Sequence, residues 1–448
     1  MIAASNRSWT KRWGILLLLS MVMFTGYVFM DLLSPLRELL EVQYGWDSFV
    51  YGLYTGSELV LTVYFLFILI GGFLLDVKGV HFMALVSGVF MVLGALIELF
   101  AFTDLFANSS LRVLVDSVYI NRDISSMPAS AKLASLGLML FGVGIESAGL
   151  LVVKCIVKWF EGKELALAMG IEMLLARLGV FCALSLPVVS HRFFPDCIPG
   201  HLFIGVLIVC AGFALLMVYR RYDKREEQKN TFCFQTERFT FEGARKTMRT
   251  KCFWISVLFC IAYYAVIYGG QSLIVTLLGE EFGYDGQFVN NVSATLPLFS
   301  FIITPLICYF IDNRGRAISL LVGGTSLALL AFAVSAFILP ANKSEIWIFV
   351  MVTLFGISYA IIPSALWPTV SKIVDRSVLG LAYGIMFWLQ NLGLLWFPKT
   401  SLFIYFNHGF FITNISYITI CVAAILLSVL LLLEDKNHRY ELELPNIR

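Results

Sequence analysis

Twelve apolar runs, each long enough to cross a hydrocarbon layer about 30 Å thick as an α-helix, leave this 448-residue chain one class of fold. They fall at roughly 13–33, 48–75, 82–103, 135–158, 165–190, 201–219, 251–278, 288–311, 317–339, 345–371, 378–404 and 412–433. Lipid offers the backbone no hydrogen-bond partner, so runs of this length close their bonds internally as helices. The expectation is an all-α membrane protein with twelve transmembrane helices in two pseudo-symmetric six-helix bundles. The run from Trp13 to Leu33 follows Lys11 and Arg12 as in a signal peptide, yet it is too long and lacks a small-residue cleavage site, so it is read as a span. With 59% hydrophobic and 14% charged residues and a mean hydropathy of +0.85, a soluble domain is excluded. A net charge of +2 gives no case for nucleic acid, and nine scattered cysteines without a CxxC give none for zinc or a disulfide framework.

Where the charges fall sets the orientation. With the N-terminus inside, 23 of the 32 Lys and Arg lie in cytoplasmic segments and seven in external ones, so the positive-inside rule places both termini in the cytoplasm. Ten of these basic residues lie between Arg220 and Lys251, which divides the spans six and six. The expected organisation is an N-terminal bundle over 1–219, a cytoplasmic linker over 220–250, a C-terminal bundle over 251–433 and a cytoplasmic tail over 434–448. Alternating Phe232, Phe234, Phe239 and Phe241 leave room in the linker for a helix lying on the membrane. The long external segment 104–132 is a candidate docking surface for an accessory protein.

Two residues inside the apolar layer are expensive. Glu146 stands sixteen residues before Gly162 and Arg177 fifteen after it, so on two helices joined at that turn both lie roughly 22–24 Å from it, at one depth. A charge there costs about 2.5–3.5 kcal/mol on insertion scales, which turns both side chains toward protein or a wet cavity. A carboxylate suits an amine and a guanidinium suits a carboxylate, so the pair reads as a charge-matched site for a zwitterion; a structural ion pair between neighbouring helices is the other reading. Lys154 and Glu172, eight and ten residues from the same turn, read as a gate or bridge. Glu58, without an obvious basic neighbour in the sequence, is the candidate proton carrier. Asp31 and Glu98, near span ends, read as wet carboxylates.

The halves repeat weakly. At an offset of 214, residues 142–179 match 356–393: Gly142 pairs with Gly356, 166–171 (ALAMGI) with 380–385 (GLAYGI), and Gly179 with Gly393. Glu146 then falls opposite Ala360 and Arg177 opposite Asn391, so charge recognition is expected from the first half and shape from the second. Tyr263, Tyr264, Trp367, Trp388, Gln390 and Asn391 are the candidates to line that other wall. The GxxxG spacings Gly52–Gly56 and Gly380–Gly384 are assigned to close helix packing. A second repeat marks the ends of the second and eighth helices: Gly72, Asp76 and Gly79 in one, Asp312, Gly315 and Arg316 in the other. An Asp three residues before a Gly makes a tight turn whose carboxylate can bind a helix N-terminus or an Arg, the parts of a conformational latch.

On these residues the chain resembles the major facilitator superfamily, whose signature after the second helix is similar to Gly72, Leu74, Asp76 and Gly79. Phe141-Gly142, Gly144, Glu146-Ser147, Trp159-Phe160, Gly162-Lys163-Glu164-Leu165 and Ala176-Arg177 with Gly179 resemble its branch of lysosomal dipeptide transporters, as do Ala365-Leu366-Trp367-Pro368 and Gln390-Asn391-Leu392-Gly393. The resemblance implies transport of small peptides, with Glu146 holding the amino end and Arg177 the carboxylate. The chain departs from the pattern at Val180, where Ser is expected, at Cys308, where Gly is expected, and at Val80 and His81, where basic residues are usual. No HExxH, GxSxG, Walker loop or GxGxxG is present, so neither an enzyme nor a cofactor or metal is expected. The function expected is an alternating-access carrier of dipeptides or related zwitterions, a uniporter, in a plasma, bacterial inner or lysosomal membrane. A proton-coupled carrier of small organic anions, and a non-transporting sensor or scaffold of the same fold, remain as alternatives.

Overall fold

The computed structural model describes residues 9–119, 122–190, 194, 196–229, 239–342, 344–438 and 440–447, and among them every regular element is helical. Among the described residues nine helices are long and apolar enough to cross a membrane, from Trp9–Tyr44 to Arg376–His438, and a bent pair, Ser48–Tyr64 with Phe67–Lys78, makes another. Gly409, at φ 82° and ψ 172°, divides the longest helix, Leu379–His438, into two of the expected spans. With Gly286–Arg314 the number is twelve, in the places the apolar runs predict. The long segment after the third span folds into short helices, Asp104–Ala107, Ser110–Asp116 and Arg122–Ser125. In the linker, the sixth span continues to Lys229 and a separate helix covers Phe241–Arg249, with Phe241 exposed; Phe232 and Phe234 lie outside the described residues.

The second span is not the continuous helix expected. Two residues after Glu58 it passes into a π-turn, Val60–Tyr64, and Leu66 takes a left-handed φ of 59°, so the two parts meet at 52°. No proline or glycine stands at the break; an extra residue lodged in the π-turn displaces the hydrogen-bond ladder, which composition does not reveal.

Packing divides the chain into two compact units: Met1–Cys155 with Leu175–Arg238, and Ile156–Leu174 with Phe239–Arg448. The fourth span, Ala129–Phe160, and the fifth, Leu165–Ser190, thus each contribute to both.

In the first unit, glycines bring backbones together around the fourth span. A Cβ on Gly137 would lie 2.8 Å from the Gly94 carbonyl of the third span, and one on Gly144 would lie 2.6 Å from the Met91 nitrogen. A Cβ on Gly142 would strike the Glu58 carbonyl, and one on Gly179 of the fifth span would lie 2.5 Å from the Phe24 carbonyl of the first. This approach corrects the reading of Glu98 as wet: it is 1% exposed and accepts a 2.6 Å hydrogen bond from the Tyr54 hydroxyl. The packing role given to Gly52 and Gly56 is also corrected, since nothing lies within 4 Å of a Cβ on either. That face of the second span is open, so the spacing there serves no close contact.

Gly179→Leu is expected to overpack the first and fifth spans and cost about 1–3 kcal/mol or more. Gly52→Ala, which meets nothing, is expected to stabilise the helix by about 0.5–1 kcal/mol. Thermal unfolding in detergent checks both, with midpoints moving in opposite directions.

Candidate functional site

In the first unit the fourth span is nearly all buried, and Glu146 belongs to its partly exposed stripe with Met139, Leu140, Val153 and Lys154. Arg177 on the fifth span is partly exposed as well. Both charges of the expected pair therefore keep accessible surface. Gly142, one turn before Glu146, brings the second span to the fourth, and Glu58 lies close enough to Glu146 and Asp31 for their charges to interact. This gathering of three carboxylates from the first, second and fourth spans is not visible in the sequence, where Asp31 and Glu146 are 115 positions apart. Arg37 stands over the Tyr51 ring at 5.5 Å from its centre, near the same acidic group.

Deeper along the same stripe, the Lys154 ammonium pairs with the Asp76 carboxylate, with side chains 11% and 0% exposed. Lys154 thus has a partner on the second span; Glu172, on the part of the fifth span that belongs to the second unit, is buried. Among the partners of Asp76 is a Lys, beside the helix N-terminus or Arg that the turn was expected to offer its carboxylate. Gly72 is buried before it, and Gly79, at φ 84°, makes the sharp turn into the third span. His81, in the first turn beyond, is 3.0 Å from Glu227 and 3.9 Å from Asp223 of the sixth span. Their ligand atoms lie within 4.8 Å of one another, a set that could hold a divalent ion and that the sequence reading missed, because His81 and Asp223 are far apart in the chain.

In the second unit the structure joins Tyr263, Tyr264 and Trp367 in one aromatic cluster. The Tyr263 and Tyr264 rings are 5.1 Å apart, Tyr264 and Trp367 6.4 Å, and Trp367 lies 6.0 Å from Tyr383 and 5.0 Å from Phe387. The Tyr383 hydroxyl donates to the Trp367 carbonyl at 2.7 Å. Tyr263 and Tyr383 are almost fully buried, so the cluster is first a packing core; Tyr383 and Phe387 were not among the expected site residues. Trp388 and Gln390 are partly exposed, and Asn391 is buried at 3%. A hollow beside Leu273, Phe332, Ser335 and Phe355, with room for no more than a water-sized group, carries no charge that would fit a zwitterion.

The Asp312 turn does what the pattern suggested. Its two carboxylate oxygens accept from the Ala166 and Leu167 amides at 2.9 and 2.8 Å, capping the fifth span. Gly315 takes φ 75°, and Arg316, itself left-handed at φ 63°, starts the ninth span. Close by, Arg376 pairs with Glu161, joining the turn between the fourth and fifth spans to that between the tenth and eleventh. Glu161 and Asp375 correspond at the offset of 214, so two turns related by the internal repeat meet here.

Twelve apolar spans, paired Asp turns and charges held within the spans are the features of a multi-pass membrane transporter. Residues 16–398 match the model of the Major Facilitator Superfamily, and the chain belongs to that family. It is similar to the Lysosomal dipeptide transporter MFSD1 of Bos taurus, 28% identical over 314 residues, and to that of Homo sapiens, also 28%. Each match covers 67% of this chain but only 64% and 65% of the relative, so the chain spans about two-thirds of their length. For the Pongo abelii protein the match is 25% identical and covers 93% of this chain and 85% of the relative. Among solved structures, a bacterial homologue of the iron transporter ferroportin superposes with a TM-score of 0.72 at 13% identity, covering 93% of this chain and 98% of that one. The proton:xylose symporter XylE gives 0.68 at 13%, covering 93% and 94%. The two share the fold of twelve helices in two bundles.

Lys154→Met is expected to be strongly destabilising, by about 3–5 kcal/mol, because it takes the ammonium away from a buried carboxylate. Asp76→Asn combined with Lys154→Met is expected to recover much of that loss. A double-mutant cycle on thermal unfolding measures the coupling.

Proposed function

We propose that the chain carries dipeptides or related small zwitterions across its membrane by alternating access, as a uniporter. One observation carries the reading: Glu146 and Arg177, opposite charges on adjoining spans, are both partly exposed in a chain similar to lysosomal dipeptide transporters. Glu146 takes the ammonium of the cargo and Arg177 its carboxylate, in a setting where water competes less than in bulk. Because the cargo supplies both counter-charges, the cycle needs no proton. Both termini face the cytoplasm on this reading, as the distribution of Lys and Arg favours, and the relatives' names favour a lysosomal membrane over the plasma or bacterial inner membrane expected from the sequence.

A proton-coupled carrier of small organic anions is the second reading, and the interaction of Glu58 with Glu146 and Asp31 favours it. Glu58, whose charge interacts with those of Glu146 and Asp31, gives a proton a place to bind and leave, while Arg177 would hold the anion.

Uptake into proteoliposomes separates the two. Equilibration of a dipeptide without accumulation, unchanged by a pH gradient, is the expected result; accumulation driven by protons supports the second reading, and no flux of either cargo class overturns both. Glu146→Gln is expected to weaken peptides with free N-termini at least tenfold more than N-acetylated ones. Arg177→Ala is expected to abolish discrimination between free and amidated C-termini. Variants that handle all forms as the parent does would remove the site assignment while leaving the carrier.

A further inference from the structure

The segment Tyr440–Ile447 lies across the turn between the eighth and ninth spans, inside the second unit. Asn446 donates its side-chain amide to Asp312 Oδ1 at 2.7 Å, the oxygen that also accepts from Ala166, and the Ile447 amide donates to the Asp312 carbonyl at 3.1 Å. Glu443 reaches the ninth span, where its carboxylate accepts from the Ser319 amide at 2.9 Å and from the Ser319 hydroxyl at 2.7 Å, while its carbonyl accepts from the Arg316 amide at 2.9 Å. Lys372 of the tenth span donates to the Leu444 carbonyl at 2.9 Å. The segment runs so close to the turn that a Cβ on Gly315 would lie 2.7 Å from the Leu444 carbonyl carbon. Leu442 is fully buried and Asn446 is 5% exposed, while Glu441, Leu444 and Ile447 face outward, so the segment is anchored by two buried side chains and by its hydrogen bonds.

These contacts converge on the group that caps the fifth span. Asp312 is 1% exposed; Asn446 and Ile447 grip its side chain and backbone and fix the carboxylate so that each oxygen meets one amide. Excluding water from that cap strengthens its hydrogen bonds. The fifth span divides between the units at Leu174 and Leu175, so a movement of one unit against the other either bends the span or pulls its first turn from Asp312.

We infer that the 440–447 segment is a strap on the latch: it holds Asp312 in the geometry that caps the fifth span, and its detachment accompanies the change of state. The strap keeps the capped state populated, and whatever loosens it speeds departure from that state. Its place in a transport cycle rests on the carrier reading above, but its effect on the cap does not.

Hydrogen–deuterium exchange on the purified full chain reads the cap without substrate. Asn446→Ala is expected to raise exchange at the Ala166 and Leu167 amides at least tenfold, with the middle of the fifth span unchanged. Lys372→Met, which unties the segment without touching Asp312, is expected to do the same to a smaller degree and also gives an answer if Asn446→Ala does not fold. Asp312→Ala marks the uncapped limit. Exchange that rises in 440–447 while 165–168 stays within twofold of the parent overturns the strap. Uptake by the same variants is a separate reading: loss of protection with no transport in any variant or in the parent would count against the carrier and leave the strap standing.

Discussion

Polar groups carried into an apolar layer must find partners within the protein, and much of this structure follows from that constraint. Asp76 meets Lys154, Glu98 meets the Tyr54 hydroxyl, and Asp312 meets two backbone amides at a helix start. Each partner comes from another span, so each bond also fixes how two helices sit together. The glycines that let backbones approach are the other half of this arrangement. Without the close contact at Gly137 and Gly94, Glu98 would not be sealed from water.

The two Asp turns show how a repeated motif can diverge in chemistry. Asp76, on the second span, pairs with a lysine of the fourth, a contact between two side chains. Asp312 faces the positive end of a helix and shares one oxygen with the amide of Asn446. An ion pair of the first kind is costly to open, because both charges would remain desolvated. A helix cap is worth less and can be exchanged for water, which suits a contact that breaks and reforms. Where the turns related by the internal repeat meet, at Glu161 and Arg376, the pair is exposed and contributes little to stability.

Much of the fold was legible because its periods are long. Runs of twenty apolar residues locate the spans, and the repeat at 214 pairs the fourth and fifth helices with the tenth and eleventh. The depth expected for Glu146 and Arg177 rests on counting residues along two helices. Other features were hidden for identifiable reasons. The π-turn after Glu58 arises from a displaced bond ladder with no proline or glycine to announce it. The group formed by Asp31, Glu58 and Glu146 needs three spans to converge, and the aromatic cluster around Trp367 recruits Tyr383 and Phe387 from a neighbouring helix. Gly52 and Gly56 have the spacing of a packing motif without the contact, since spacing does not say which face a helix turns to its neighbour.

Sequence by itself determined that the chain spans a membrane twelve times and that the costly charges lie in its first half, because hydrophobic length and the price of a charge in lipid are properties of residues and their order. Tertiary structure alone decided which groups meet: that Lys154 answers Asp76, that Asp312 caps the fifth span, and that a segment 134 positions further along closes over that cap. Such contacts depend on distances between helices far apart in the chain, and no local pattern encodes those distances.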